Sequence, residues 1–115
     1  MMIYNLMSKV EEFYENTRSR KDIDVSKNLS WGYYFSSIDK GPLERVKELL
    51  LNEKGYSYAE IIKEREDSKY YLHIEKIEKH TINSLTQRDI ELKNYAEEFN
   101  IESYDGFDVE KIGFI

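Results

Sequence analysis

The 115-residue chain contains no cysteine, which excludes disulfide frameworks, thiol nucleophiles and cysteine-ligated zinc together. It has one proline and five glycines, so long flexible linkers are not expected. No apolar run approaches the ~18 residues that a membrane-spanning helix needs. The start, MMIYNLMSKVEEF, reaches Glu11 and Glu12 too early for a secretory leader. A cytoplasmic location is expected and a membrane partner is not. Histidine is scarce: His73 and His80 lie seven residues apart, without the i, i+4 spacing or carboxylate bracket that converges on a metal. They are expected as a strand-face and a loop histidine, with no metal and no other cofactor. Adjacent acids such as Glu11–Glu12 and Glu97–Glu98 point about 100° apart on a helix, so neither pair is an acid–base dyad. There is no Gly-rich phosphate loop and no nucleophile motif. Nothing here predicts catalysis.

What the chain does contain is charge. Charged residues make up 35% and hydrophobic ones 40%, with a formal net charge of -6, which fits one folded domain. The acidity is uneven. Residues 81–115 hold only Arg88, Lys93 and Lys111 against eight Asp and Glu. A phosphate backbone is repelled by such a surface, because nucleic-acid affinity comes largely from Lys and Arg. A basic protein is attracted. Glu97, Glu98, Glu102, Asp105 and Asp108 bracket the segment Tyr104-Asp105-Gly106-Phe107 and are the expected partner-binding residues. Near a helix C-terminus, where the dipole is already negative, acids bring no stability.

Hydrophobic spacing supplies the elements. Ile3, Leu6, Met7, Val10, Phe13 and Tyr14 make one helical stripe. Asn16 to Asn28 lacks periodicity and reads as a connector. In Leu29–Ser37, Trp31, Tyr33 and Phe35 alternate with Tyr34 and Ser36, which predicts a strand. Pro42 suits a first helical turn and Gly55 a left-handed end, with Leu43, Val46, Leu49 and Leu50 as the buried stripe between them. Strands are predicted at Tyr56–Glu64 and Tyr70–Lys79. Ser84 and Gln87 have capping-box spacing, and Leu85, Leu92, Ala96 and Phe99 continue that helix to Asn100. Gly106 is the expected turn into a last strand through Val109 and Ile112.

A helix followed by βαββαβ predicts a ferredoxin-like α+β sandwich: a four-stranded antiparallel sheet, two helices on one face and an extra N-terminal helix. The expected division is one domain over 1–115, with helix and connector at 1–28 and the core at 29–115. The N-terminal stripe needs a partner, since a short isolated helix is marginal in water. The open face of its own sheet is the expected one, ahead of a homodimer or an external target. Tyr34, Tyr71 and His73 would form an aromatic platform of the kind that stacks RNA bases. The Gly-aromatic signature of that family is missing from KYYLHIEKI, and the charge has the wrong sign. No nucleic-acid partner is expected.

The run NYAEEFNIESYDGF, Asn94 to Phe107, resembles the "LAEKY-x-V-E-YDGW" end of the regulator of ribonuclease activity B family. YYFSSIDKGPLERVKELLLNEKGYSY is similar to that family's first strand, helix and "KLGYEV" turn, so the likeness covers about residues 33–112. Phe107 stands where the family usually has Trp. The resemblance implies a compact acidic ferredoxin-like protein that inhibits the endoribonuclease ribonuclease E by binding it. The expected function is therefore non-catalytic binding and inhibition of an RNA-processing enzyme, by a monomer or weak homodimer. An immunity protein that neutralises a basic toxin or nuclease is the second possibility, and an RNA-binding module the third.

Overall fold

Alternation decides the first strand. A computed structural model describes residues 2–17 and 23–110, and its β1 (Leu29–Ser37) buries Leu29, Trp31, Tyr33 and Phe35 on one side. The other elements are α1 (Met2–Thr17), α2 (Lys40–Glu53), β2 (Tyr58–Lys63), β3 (Tyr70–Glu78), α3 (Ile82–Glu98) and β4 (Ser103–Glu110). The protein is thus α+β, with three helices and one four-stranded sheet in the order β2-β3-β1-β4 among the described residues. Each neighbouring pair is antiparallel. Tyr33 lies opposite Ile74 on β3 and Phe107 on β4, so three strands send apolar groups to the same side. There Leu43, Val46 and Leu50 of α2 and Leu85, Leu92 and Ala96 of α3 join them in one core.

Helix ends follow local chemistry. Gly55 takes φ +77° and Asn100 φ +58°, the left-handed values that close a helix. Past Asn100 the Ile101 N–H returns to the Ala96 carbonyl at 2.8 Å and the Asn100 N–H to Glu97 at 3.3 Å, a Schellman end. The start of α3 differs from expectation. Its cap is Thr81, three residues before Ser84: Thr81 Oγ1 accepts from the Ser84 N–H at 3.1 Å, and Ser84 Oγ accepts from the Thr81 N–H at 2.8 Å. Two hydroxyls three apart satisfy both orphan donors here, which leaves Ser84 inside the helix. In α2, Leu49 is only half-buried, whereas Leu43, Val46 and Leu50 are fully enclosed. The stripe is narrower than its sequence spacing suggests.

Tyr104-Asp105-Gly106-Phe107 is not a turn before the strand but a bulge within it. Tyr34 pairs with Gly106 and Phe35 with Tyr104, so Asp105 is the extra residue. Gly106 sits at φ +122°, backbone that a Cβ disfavours. Tyr104 and Phe107 are three apart and would point to opposite sides of a regular strand. The inserted residue brings both onto the helix side. Ile112 lies outside the described residues.

α1 also departs from expectation. Val10 is fully buried, the Phe13 ring packs 5.6 Å from Trp31 and 5.2 Å from Phe107, and the Tyr14 O–H donates to the His80 carbonyl at 2.8 Å. α1 therefore packs within its own chain, but beside α3 on the already apolar side instead of across the open sheet face. The open face carries Glu75, Asp108 and Glu110, and an apolar stripe laid on it would strand those carboxylates without water. The side chains of Ile3, Leu6 and Met7 lie outside the described residues.

Replacing Leu50 with Ala is expected to lower unfolding free energy by about 2–5 kcal/mol, and Leu49 with Ala by less than about 1 kcal/mol. Urea titration of the two variants, with equal losses as the contrary result, checks this placement of the stripe.

Candidate protein-docking face

The side of the sheet away from the helices is assembled by register. Asp108, Gly32, Glu75 and Tyr58 form one row across the four strands, and Gly106, Tyr34, His73 and Glu60 the next. Gly32 matters here because of space. A Cβ at that position would meet Asp108 Oδ1 at 2.5 Å, His73 Nε2 at 3.1 Å and Tyr34 Oη at 3.4 Å. Three polar side chains from three strands thus converge above a residue with none. The Tyr34 ring stacks on His73 at 4.6 Å and 10°, and its hydroxyl donates to Asp108 at 2.7 Å. Burial and the Asp108 carboxylate push the Tyr34 phenol up from its ordinary range, so it stays a donor. Tyr58 meets His73 edge-on at 5.5 Å and donates to Glu60. Ile77 (51% exposed), Ile62 (44%) and Tyr58 (38%) lie open to solvent. The expected platform of Tyr34, Tyr71 and His73 therefore exists as one face, surrounded by carboxylates.

The five expected partner-binding acids are distributed over three places. Glu97 and Glu98 are exposed in the last turn of α3. Glu102 is ion-paired to Lys69 at 2.7 Å and Asp105 accepts from Ser103 at 2.6 Å, both at the start of β4. Asp108 alone lies on the open face, under Tyr34.

Polar groups on the closed side were not foreseen. The Glu78 carboxylate accepts from Tyr33 Oη at 2.8 Å, from His80 Nε2 at 2.9 Å and from Arg88 at 2.6 and 3.2 Å. The Ser84 hydroxyl lies 2.8 Å from His80 Nδ1, within hydrogen-bond distance, and joins the network. Burial alone would raise the Glu78 pKa, and the hydrogen bonds from His80, Arg88 and Tyr33 outweigh it, leaving the carboxyl at about 2. Arg88 reaches on to Glu91 at 2.6 Å. Separately, Asp89 is buried and accepts from the Tyr104 O–H at the floor of a groove between α1 and β4 lined by Lys9, Phe13 and Phe107. Its signal was present in the sequence: Leu85, Asp89, Leu92 and Ala96 share one helical face, so an acid inside that stripe must be enclosed.

Among the described residues no cluster of His, Asp and Glu is arranged to hold a metal, and no helix is long and apolar enough to cross a membrane. What the open face can do is bind: it joins exposed rings and aliphatic groups to carboxylates that, among the described residues, no Lys or Arg pairs with. Comparison with known proteins adds one decisive match. Residues 10–109 fit the family model described as regulator of ribonuclease activity B. The chain belongs to that family. None of the curated proteins compared with it matches. The match runs from α1 into β4, so it takes in both the open face and the groove over Asp89. As a member of the regulator of ribonuclease activity B family, the chain is a regulatory protein whose family name points to a ribonuclease as the protein partner.

Asp89 makes stability depend on pH. Burial raises its carboxyl to about 6, against lesser lowering by Tyr104, His80 and Lys9. The unfolded chain releases this proton near pH 4 and the folded one near 6. Stability present below pH 4 is therefore lost as pH rises through 6, by on the order of 3 kcal/mol. Asp89→Asn keeps an acceptor for Tyr104 and is expected to flatten this slope and to exceed wild type in stability at pH 7. Urea midpoints between pH 4 and 7 check it; parallel profiles would contradict it.

Proposed function

We propose that the chain is a non-catalytic, cytoplasmic regulator that binds a ribonuclease and lowers its activity. The observation that carries this is the family match over residues 10–109. Physical chemistry supplies the means. A ribonuclease holds RNA with Lys and Arg, and a chain with net charge -6 complements that surface. Occupying it excludes substrate without any bond being made or broken. Glu97, Glu98, Glu102, Asp105 and Asp108 are assigned the long-range part of this attraction, which raises the encounter rate and repels acidic surfaces. Nucleic acid is not the ligand, since the same charge opposes phosphate. The ferredoxin-like description of the core belongs to the same proposal, supported by the β1-α2-β2-β3-α3-β4 order and the antiparallel sheet.

Ribonuclease E, the target implied by the resemblance, is the enzyme to test first. Cleavage of a fluorogenic RNA is expected to fall as the chain saturates the enzyme; undiminished cleavage at saturation rejects the proposal. Reversing Glu98, Glu102 and Asp108 to Lys is expected to slow association about tenfold at low salt, with the wild-type rate falling steeply as salt rises. An unchanged rate for this triple variant would remove these three acids from the interface.

A further inference from the structure

We infer that the open face of the sheet is a docking surface for an arginine-bearing basic segment of the protein partner. The inference rests on the chain acting by binding a protein, and it places the close contact where that reading does not. Four carboxylates, Glu60, Glu75, Asp108 and Glu110, project from the open side of β2, β3 and β4. No Lys or Arg among the described residues occupies that side of any strand. Among the described residues no Lys or Arg forms an ion pair with these four; His73, at 3.3 Å from Glu75, is the base beside them. The closed side shows what the chain does with an acid it needs for itself: Glu78 is held by Arg88. The open-face acids have no such partner among the described residues.

The apolar part of the face is equally specific. Tyr58, Ile62 and Ile77 are exposed on it, and none of the three helices packs there, because all share the opposite core. Exposed aliphatic and aromatic groups beside carboxylates without a described Lys or Arg partner suit a side chain with an apolar stem, a flat cation and several donors. Arginine has all three: its guanidinium stacks on rings and forks across carboxylate oxygens, while an ammonium does neither. Asp108 and Glu75 flank Gly32 in one row, so a guanidinium above that row meets acceptors on both sides and the stacked Tyr34–His73 pair next to it. RNA would use the same rings, but its phosphates would face the four carboxylates.

The test uses the full chain, 15N-labelled, with a synthetic peptide of about twelve alternating Arg and Ser residues at low salt, a length that spans a sheet face. Amide shifts are expected to centre on Tyr34, Glu60, His73 and Glu75. Binding should weaken about tenfold in Glu60→Lys/Glu75→Lys and less in the milder Glu60→Gln/Glu75→Gln, and by under about threefold in Glu97→Lys/Glu98→Lys. The Lys counterpart of the peptide should bind at least about threefold more weakly. Shifts centred on the end of α3, or a larger loss in the Glu97/Glu98 variant, would overturn the inference. So would equal binding of the Lys peptide, or oligouridine shifting the same residues at the same concentration. Peptide binding on the face with undiminished ribonuclease E cleavage would reject the ribonuclease target and leave the docking surface standing.

Discussion

Glu78 is the group on which the closed side of this protein depends. A carboxylate near the edge of an aromatic core is unfavourable unless its oxygens are filled. Here a tyrosine from β1, a histidine from the β3–α3 loop and an arginine from α3 fill them. Trp31 adds its indole N–H to the Glu78 carbonyl at 3.0 Å. The end of β3 is thereby tied to β1 and to the first turns of α3, and His80 in turn meets Ser84 of the capping box of that helix. One side chain thus sets the path from sheet to helix. Tyr56, edge-on to Tyr33 at 6.2 Å, has a buried hydroxyl for which no partner occurs among the described residues.

A second constraint acts at the other side of the sheet. The bulge at Asp105 and Gly106 changes the parity of β4, so Tyr104 joins Asp89 inside while Asp108 still reaches Tyr34 outside. With regular pairing one of these contacts would be lost. The same bulge supplies Phe107 to the Trp31–Phe13 group that holds α1. The two faces are in this way specified by one inserted residue: apolar rings and their helices on one, rings with carboxylates on the other.

Most of the elements were legible because period 2 in Leu29–Ser37 and the helical stripes of α2 and α3 are strong signals of burial. The misplacements came from patterns with two solutions. Thr81-x-x-Ser84 and Ser84-x-x-Gln87 both place hydrogen-bonding side chains three apart, and only the local donors choose between them. A glycine after aspartate signals a turn, yet positive φ serves a bulge equally well. The network around Glu78 was invisible because its members, Tyr33, Glu78, His80 and Arg88, come from four segments with no common spacing. The open face was half legible: alternation put Tyr34 and His73 together, but nothing in the spacing marks Gly32, whose missing side chain is what admits Asp108.

The dependence of the fold on Glu78 is tested most directly by a double-mutant cycle in urea at pH 7 with Glu78→Gln, Arg88→Met and the pair. Side chains that share one buried network are expected to couple, and here by about 2–3 kcal/mol. Additive losses, with a coupling under about 0.5 kcal/mol, would show that β3 and α3 hold their places without this ion pair and would contradict the account.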